Sequence, residues 1–233
     1  MITFTSIASS SKGNAYLVEA HGAAPLLLEA GLPISKLREA LNFGLTGLAG
    51  CLASHCHGDH SIAIPKLLAA GVDVYVSAET AATLGIQNHH RTNIIATGKQ
   101  VQIGPWAVLP FSLAHDVPTL GFVISGSGDT LLFIPDTEYI ENRFSGITIL
   151  VVEANHAEDI LSDNIVSGVI DSSVGRRVRR THLSLEVVKD FILANDFTTL
   201  RQIHLIHLSS ANSDEQRFKR EIQELLGVPV YVC

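Results

Sequence analysis

The sequence predicts an α/β fold in which two β-sheets pack face to face with helices outside. Three observations predict it. Strand-like segments come in runs, and helix-like segments follow each set. The chain has 233 residues, 46% hydrophobic and 17% charged, which is ample for a core and too little charge for disorder. His55, His115, Asp136 and His207 each follow an apolar run, as residues at strand ends do. No linker or low-complexity segment divides the chain, so residues 1–233 are read as one domain.

The elements follow in order. "MITFTSIAS" alternates and reads as a strand, and "SSSKGN" as a turn. "AYLVEA" and "PLLLEAG" are strands joined by "HGAA". "ISKLREALNFG" has helical spacing and stops at Gly44. "GLAGCLAS" is a buried strand feeding a loop. "SIAIPKLLAAG" reads as a helix with Pro65 early or at a kink. "VDVYVS" is a strand and "AETAATLGI" a short helix. Residues 94–113 give two short strands around "GPWA". "LGFVISG" and "TLLFIPD" form a hairpin across "SGSGD". "GITILVVEAN" is a buried strand, and the polar stretch 157–180 lacks clear periodicity. "SLEVVKDFILAND" is a helix, "QIHLIHLS" a strand, "SDEQRFKREIQELLG" a capped helix and "VPVYVC" a final strand.

Composition excludes several classes. No apolar run approaches the roughly 18 residues needed to span a membrane. The first residues show no basic segment followed by an apolar one, so no secretory leader is expected. The three cysteines, Cys51, Cys56 and Cys233, have no regular spacing, which argues for a reducing, cytoplasmic location. A formal charge of −7 suits a long polyanion poorly, although a local basic patch could still bind one.

The densest chemistry is "LASHCHGDHS", residues 52–61, with His55, His57, Asp59 and His60 inside six positions. Core packing gives no reason for three histidines and an acid in one loop. Imidazole nitrogen and carboxylate oxygen suit zinc, manganese or iron. Two ions about 3.5–4 Å apart would need further ligands and a bridging group. His115 in "FSLAHDV", Asp136 in "FIPDTEY" and His207 in "HLIHLSS" are the candidates. His21, His89 and His90 read as surface or loop residues, and His204 as a strand residue.

With these motifs in this order, the chain resembles the metallo-β-lactamase superfamily: "HCHGDH" matches H-x-H-x-D-H, followed by "AHD", "PDT" and "IHLS". The resemblance spans nearly the whole length and implies an αββα sandwich. It implies one metal held by His55, His57 and His115, and a second held by Asp59, His60 and His207, with Asp136 bridging. Asp59 is the acid that accompanies two metals. In "LLLEAG", Glu29 stands where relatives often carry aspartate, which puts a supporting hydrogen bond in doubt.

Two further stretches resemble the tRNA 3′-processing endonucleases. "VVEANH" is similar to their Glu-Ala-Thr box and "RTHLSLE" to the Gly-His-Ser/Thr box paired with it. The implied pair is Glu153 orienting His182, which serves near the leaving oxygen. The landmarks "SSSKGN", "HDVPTLGF", "DTEY", "EANH" and "THLS…IHLS" resemble WalJ-type proteins. Phage anti-Pycsar phosphodiesterases, which cleave cyclic nucleotides, resemble the same branch. No long inserted arm for gripping tRNA is seen. The basic cluster "GRRVRR" offers Arg176, Arg177, Arg179 and Arg180, either as a solvated face or as a phosphate clamp. His156 either reaches substrate or caps its loop.

The function expected is therefore a phosphodiesterase with two divalent ions, zinc or manganese, acting on 3′,5′-cyclic nucleotides, with a role in countering host defence. Asp59, Glu153 and His182 are the candidate catalytic residues, and His156, Arg177 and Arg180 the candidate substrate contacts. A DNA or RNA nuclease of the WalJ type is the alternative. A non-catalytic metal-binding regulator is the reading from another class. The resemblance also implies a homodimer in which one subunit covers the other's site, for which the polar stretch 157–180 is the candidate. With no apolar run long enough to span a bilayer, no membrane association is expected.

Overall fold

The computed structural model describes residues 1–42 and 44–233. They fall into two compact units, Met1–Ser112 with Val117–Thr130, and Leu113–Asp116 with Leu131–Cys233.

The first unit is built on a six-stranded sheet of β1 (Ile2–Ala8), β2 (Ala15–Ala20), β3 (Leu26–Leu28), β4 (Gly50–Leu52), β5 (Val74–Val76) and β6 (Thr92–Ile94), in that order. β1 to β3 pair antiparallel and β3 to β6 parallel. Parallel neighbours need crossovers, and α1 (Ile34–Ala40), α2 (Gly58–Ser61), α3 (Ile64–Ala69) and α4 (Ala78–Thr83) lie in them. β3 and β4 are buried at every residue, which explains why they read as continuous apolar runs. Leu27, Cys51, Val74 and Val76 share a core with Leu37, Ile64, Leu67 and Ala81 from the helices. β7 (Val101–Ile103), β8 (Trp106–Leu113) and β9 (Thr119–Gly126) follow, hydrogen-bonded in that order.

The second unit holds β10 (Asp129–Ile134), β11 (Ile149–Glu153), β12 (Gln202–Ile206) and β13 (Val230–Val232), all parallel. α5 (Glu158–Val166), α6 (Ser172–Thr181) and α7 (Leu185–Leu193) connect β11 to β12, and α8 (Glu215–Leu226) precedes β13. Ser184 caps α7 by accepting the Val187 N–H, and Asp214 caps α8 by accepting that of Arg217. Because the strands are parallel, Asp136, Glu153 and His207 emerge at one edge, the carboxyl end, where α/β sheets place their ligands.

Several expectations change. The helix expected over 34–44 ends at Ala40, and Phe43 lies outside the described residues. The segment expected as one helix over 61–71 is preceded by α2, which begins inside the histidine motif, and Pro65 opens α3. β6 is an additional strand. The stretch 157–180 is helical, as α5 and α6. Its periodicity is hidden because α6 turns Gly175, not an apolar stripe, toward Ile165 of α5. Cys51, Cys56 and Cys233 are free thiols. Among the described residues no helix is long and apolar enough to cross a membrane.

Candidate metal centre

In the first unit, β4 ends at Leu52 and the chain runs through Ser54 to His55, which is fully buried. The Ser54 hydroxyl lies 2.8 Å from His55 Nδ1 and fixes that ring, directing Nε2 toward His57 Nδ1 at 3.0 Å. Two ring nitrogens bound to one tetrahedral zinc stand roughly 3.3 Å apart, by the geometry of ~2.05 Å bonds. His57 is the residue before α2, whose single turn carries Asp59 and His60. The His60 ring is buried, with Nε2 3.5 Å from Asp59 Oδ2 and 3.1 Å from the Asn14 amide nitrogen. Asn14 is fixed in turn, accepting from Tyr16 Oη and the Ser10 N–H.

Glu29 fills the place in doubt. Its buried carboxylate accepts the Ser54 N–H and stands 3.6 Å from His60 Nδ1. A carboxylate behind an imidazole orients the ring and sharpens its other nitrogen as a ligand. Glu29 has φ 62°, a left-handed conformation unusual for a residue with a side chain.

Gly31 joins this segment to the motif. Its N–H donates to the Asn14 carbonyl, and a Cβ there would lie 1.6 Å from the Asp59 carbonyl oxygen. Backbone cannot yield as a side-chain tip can. Gly31→Ala is therefore expected to destabilise the chain by roughly 3 kcal/mol, a fall of roughly 6–12 °C in melting temperature, and to lower metal content. A calorimetric scan and elemental analysis matching the parent protein would refute this close approach.

In the second unit, His115 follows β8. Its Nδ1 lies 2.8 Å from the Thr181 carbonyl, to which it must donate, so neutral His115 presents a lone pair on Nε2. Asp116 Oδ1 lies 3.1 Å from that nitrogen. Burial lowers the His115 pKa despite nearby Asp136 and Asp116, which favours the neutral ligand form. Asp136 is buried beyond β10, with Oδ1 2.7 Å from His207 Nδ1 and Oδ2 3.7 Å from His182 Nδ1. Thr137 anchors it, donating its hydroxyl to the Ala114 carbonyl and its N–H to Glu153.

Glu153 ends β11 and is fully buried. Its Oε2 accepts the N–H groups of Thr137 and Leu183, and its Oε1 lies 2.5 Å from His182 Nδ1 and 3.2 Å from His207 Nδ1. Burial opposes its charge, but His182 outweighs that and lowers its pKa. Burial likewise opposes charge on His182, yet Glu153 raises the pKa above the ordinary histidine value. His207 follows β12 at φ 55°, and the Asn155 amide donates to its carbonyl.

Asp136, Glu153, His182 and His207 bring one candidate ligand atom each within 4.8 Å of one another. Two carboxylates this buried require positive charge beside them. Among the described residues the groups supplying it are imidazoles, a donor set that also accommodates a divalent ion. The His55–His57 approach fits a cation equally.

The other candidates sort differently. His156 is 1% exposed, its Nε2 is 3.3 Å from Glu158, and its carbonyl accepts the Leu185 N–H. That position ties α5 to the start of α7 and does not present the ring to a ligand in solution. His204 stacks on Tyr231, and burial pushes its pKa down to about 4. Arg177 and Arg180 are exposed on α6, whereas Arg179 is bound to Glu158 and Ser162. Thr137 was not singled out for a role, and its only signal was its place in "DTEY".

A family model described as Beta-lactamase superfamily domain matches residues 27–207. No curated protein matches the chain. Among solved structures, the metallo-beta-lactamase fold protein YhfI from Bacillus subtilis is similar at 16% identity and TM-score 0.77, covering 100% of this chain and 95% of that one. Zn(2+)-bound PqqB from Methylobacterium extorquens is similar at 17% identity and TM-score 0.76, covering 100% and 97%. A diphosphatase from the PhnP family is similar at 12% identity and TM-score 0.67, covering 100% and 95%. These likenesses show the metallo-beta-lactamase fold.

Proposed function

Since the chain belongs to the beta-lactamase superfamily domain family and is in class a metal-dependent hydrolase, we propose that it hydrolyses nucleotide phosphodiester bonds. The ligands proposed are His55, His57 and His115 for one divalent ion, and Asp59, His60 and His207 for another, with Asp136 shared. Zinc is the first candidate and manganese the second. Bound ions would supply Lewis acidity and activate water near neutral pH.

The observation that carries phosphodiester chemistry is the Glu153–His182 pair. A phosphodiester expels an alkoxide, a poor leaving group that gains from a proton in the transition state. Thr137 and Leu183 hold one Glu153 oxygen, leaving the other for His182 Nδ1. The carboxylate fixes the ring and favours its charged form, so His182 is poised to donate from Nε2. Likeness to a diphosphatase supports chemistry at phosphorus.

The substrate class proposed is a 3′,5′-cyclic nucleotide, which suits a chain of charge −7. A DNA or RNA nuclease is the second reading, favoured by the arginines of α6, of which Arg177 and Arg180 are the proposed substrate contacts. Salt separates the two, because a nuclease neutralising several phosphates loses affinity steeply as salt rises.

Protein purified without chelator is expected to carry about two transition-metal ions per chain, as two-metal hydrolases do. It should hydrolyse bis-p-nitrophenyl phosphate, lose that activity to a chelator and regain it with zinc or manganese. Folded protein that is metal-free and active, or metal-loaded and inert on every phosphodiester offered, would overturn the reading.

A further inference from the structure

Beside His115 the second unit has a cleft of about 490 Å³, lined by Asp116, Glu138, Arg176, Arg177 and Arg180 among others. Ser173, Arg176, Arg177, Arg180 and Thr181 all line it, at spacings of three and four residues, so one face of α6 forms its wall. The opposite side of the helix is used for packing. There Gly175 meets Ile165, and Arg179 donates to Glu158 Oε2 at 2.8 Å and to Ser162 Oγ at 2.9 Å.

Unlike Arg179, Arg177 and Arg180 are not tied to a carboxylate, although Asp116 and Glu138 line the same cleft. Neither Arg177 nor Arg180 has an ion-pair partner among the described residues, whereas Arg176 reaches the Ser172 hydroxyl at 3.5 Å and helps to lower the pKa of Asp171. Two arginines outside this helix are paired, Arg217 with Asp159 and Glu221, and Arg91 with Asp73. Like charges three and four residues apart on a helix repel by a few tenths of a kcal/mol. Arg180 gains from the helix C-terminus, but Arg176 and Arg177 stand too far from it for that to account for them. Three guanidinium groups converge on one concave site that holds two carboxylates, Asp116 and Glu138, and those of Arg177 and Arg180 are free to take an anion from outside; their planar donors match phosphate oxygens.

We infer that this cleft binds a phosphate other than the one that is cleaved, so that the preferred substrate carries at least two phosphates. The inference rests on the phosphodiesterase reading and narrows it. A cyclic mononucleotide has only the phosphate being cleaved and leaves the cleft empty. A cyclic dinucleotide or a linear oligonucleotide has a second phosphate to place there. Asp116 and Glu138 would accept from sugar hydroxyls or base amino groups beside it.

The test compares kcat/KM of metal-loaded protein on cyclic AMP, cyclic di-AMP, the linear dinucleotide pApA and bis-p-nitrophenyl phosphate. The parent protein is expected to prefer cyclic di-AMP or pApA to cyclic AMP, and which of the two is better identifies the source of the second phosphate. In the Arg177→Gln/Arg180→Gln double variant, the ratio of kcat/KM on the preferred dinucleotide to that on bis-p-nitrophenyl phosphate should fall about 100-fold, about tenfold for each charge-assisted contact. Both residues are exposed, so folding should survive, and the melting temperature checks it. Equilibrium binding of the phosphorothioate analogue of the same dinucleotide should weaken in parallel without turnover. An unchanged ratio in the double variant, or a parent preference for cyclic AMP, overturns the inference. If no phosphodiester is cleaved by the parent protein, the phosphodiesterase reading itself has failed.

Discussion

Asp136→Asn is expected to reduce phosphodiester turnover by roughly 10³-fold or more, the scale of losing several kcal/mol of transition-state stabilisation. Asp136 is the proposed shared ligand, and an amide keeps its shape while removing its charge. Its position makes the substitution severe in a second way. Oδ1 stands 2.7 Å from His207 Nδ1 and Oδ2 3.7 Å from His182 Nδ1, so neutralising the carboxylate also weakens what holds two imidazoles. Metal content should fall from about two ions toward one or none, the expected state of a two-metal site that has lost its bridge. Asp136→Ala should do the same and leave a void as well. Elemental analysis together with turnover decides the matter. A variant with full activity and full metal would show that Asp136 serves only to hold His207.

His182→Ala is expected to lower turnover on an alkoxide-leaving substrate by roughly 10² to 10⁴, the usual range for a general acid. The defect should shrink on bis-p-nitrophenyl phosphate, whose leaving group needs no proton, and both metals should remain bound. Glu153→Gln should show the same pattern more weakly, because the amide oxygen can still accept from the Thr137 and Leu183 N–H groups but no longer stabilises the charged imidazole. The alternative makes His182 a structural cap at the end of α6. That view requires equal losses on both substrates and a lower melting temperature. One variant measured on two substrates therefore separates proton donation from support of the fold.

Much of this was legible in the sequence for a physical reason. Parallel strands buried on both faces leave apolar runs, and β4, β10, β11 and β12 each end where such a run stops. Chemistry at strand ends can thus be read as polar residues after apolar ones, as at His55, Asp136 and His207, whereas Glu153 stands out through the likeness of "VVEANH" to a known box. What stayed hidden depends on contacts that leave no period. Helix α6 has no apolar stripe, because it packs through a glycine and through Arg179 on Glu158. The cleft it walls could be guessed only as a basic cluster. His156 is open in the sequence between reaching substrate and capping its loop, and its ring lies 3.3 Å from Glu158. Glu29 read as a departure from pattern, whereas its longer side chain still brings a carboxylate to 3.6 Å from His60 Nδ1.

Glu29 and His207 share one more property. Both hold left-handed backbone conformations, at φ 62° and 55°, which cost a residue with a Cβ roughly 1–2 kcal/mol that glycine avoids. Glycine would relieve that strain but would also remove a buried side chain. Without Glu29 the Ser54 N–H loses its acceptor, and without His207 the buried carboxylates of Asp136 and Glu153 lose an imidazole beside them. The strained backbone is thus held by the contacts of its own side chains, so the two turns should be the first places where the backbone relaxes when those contacts are cut.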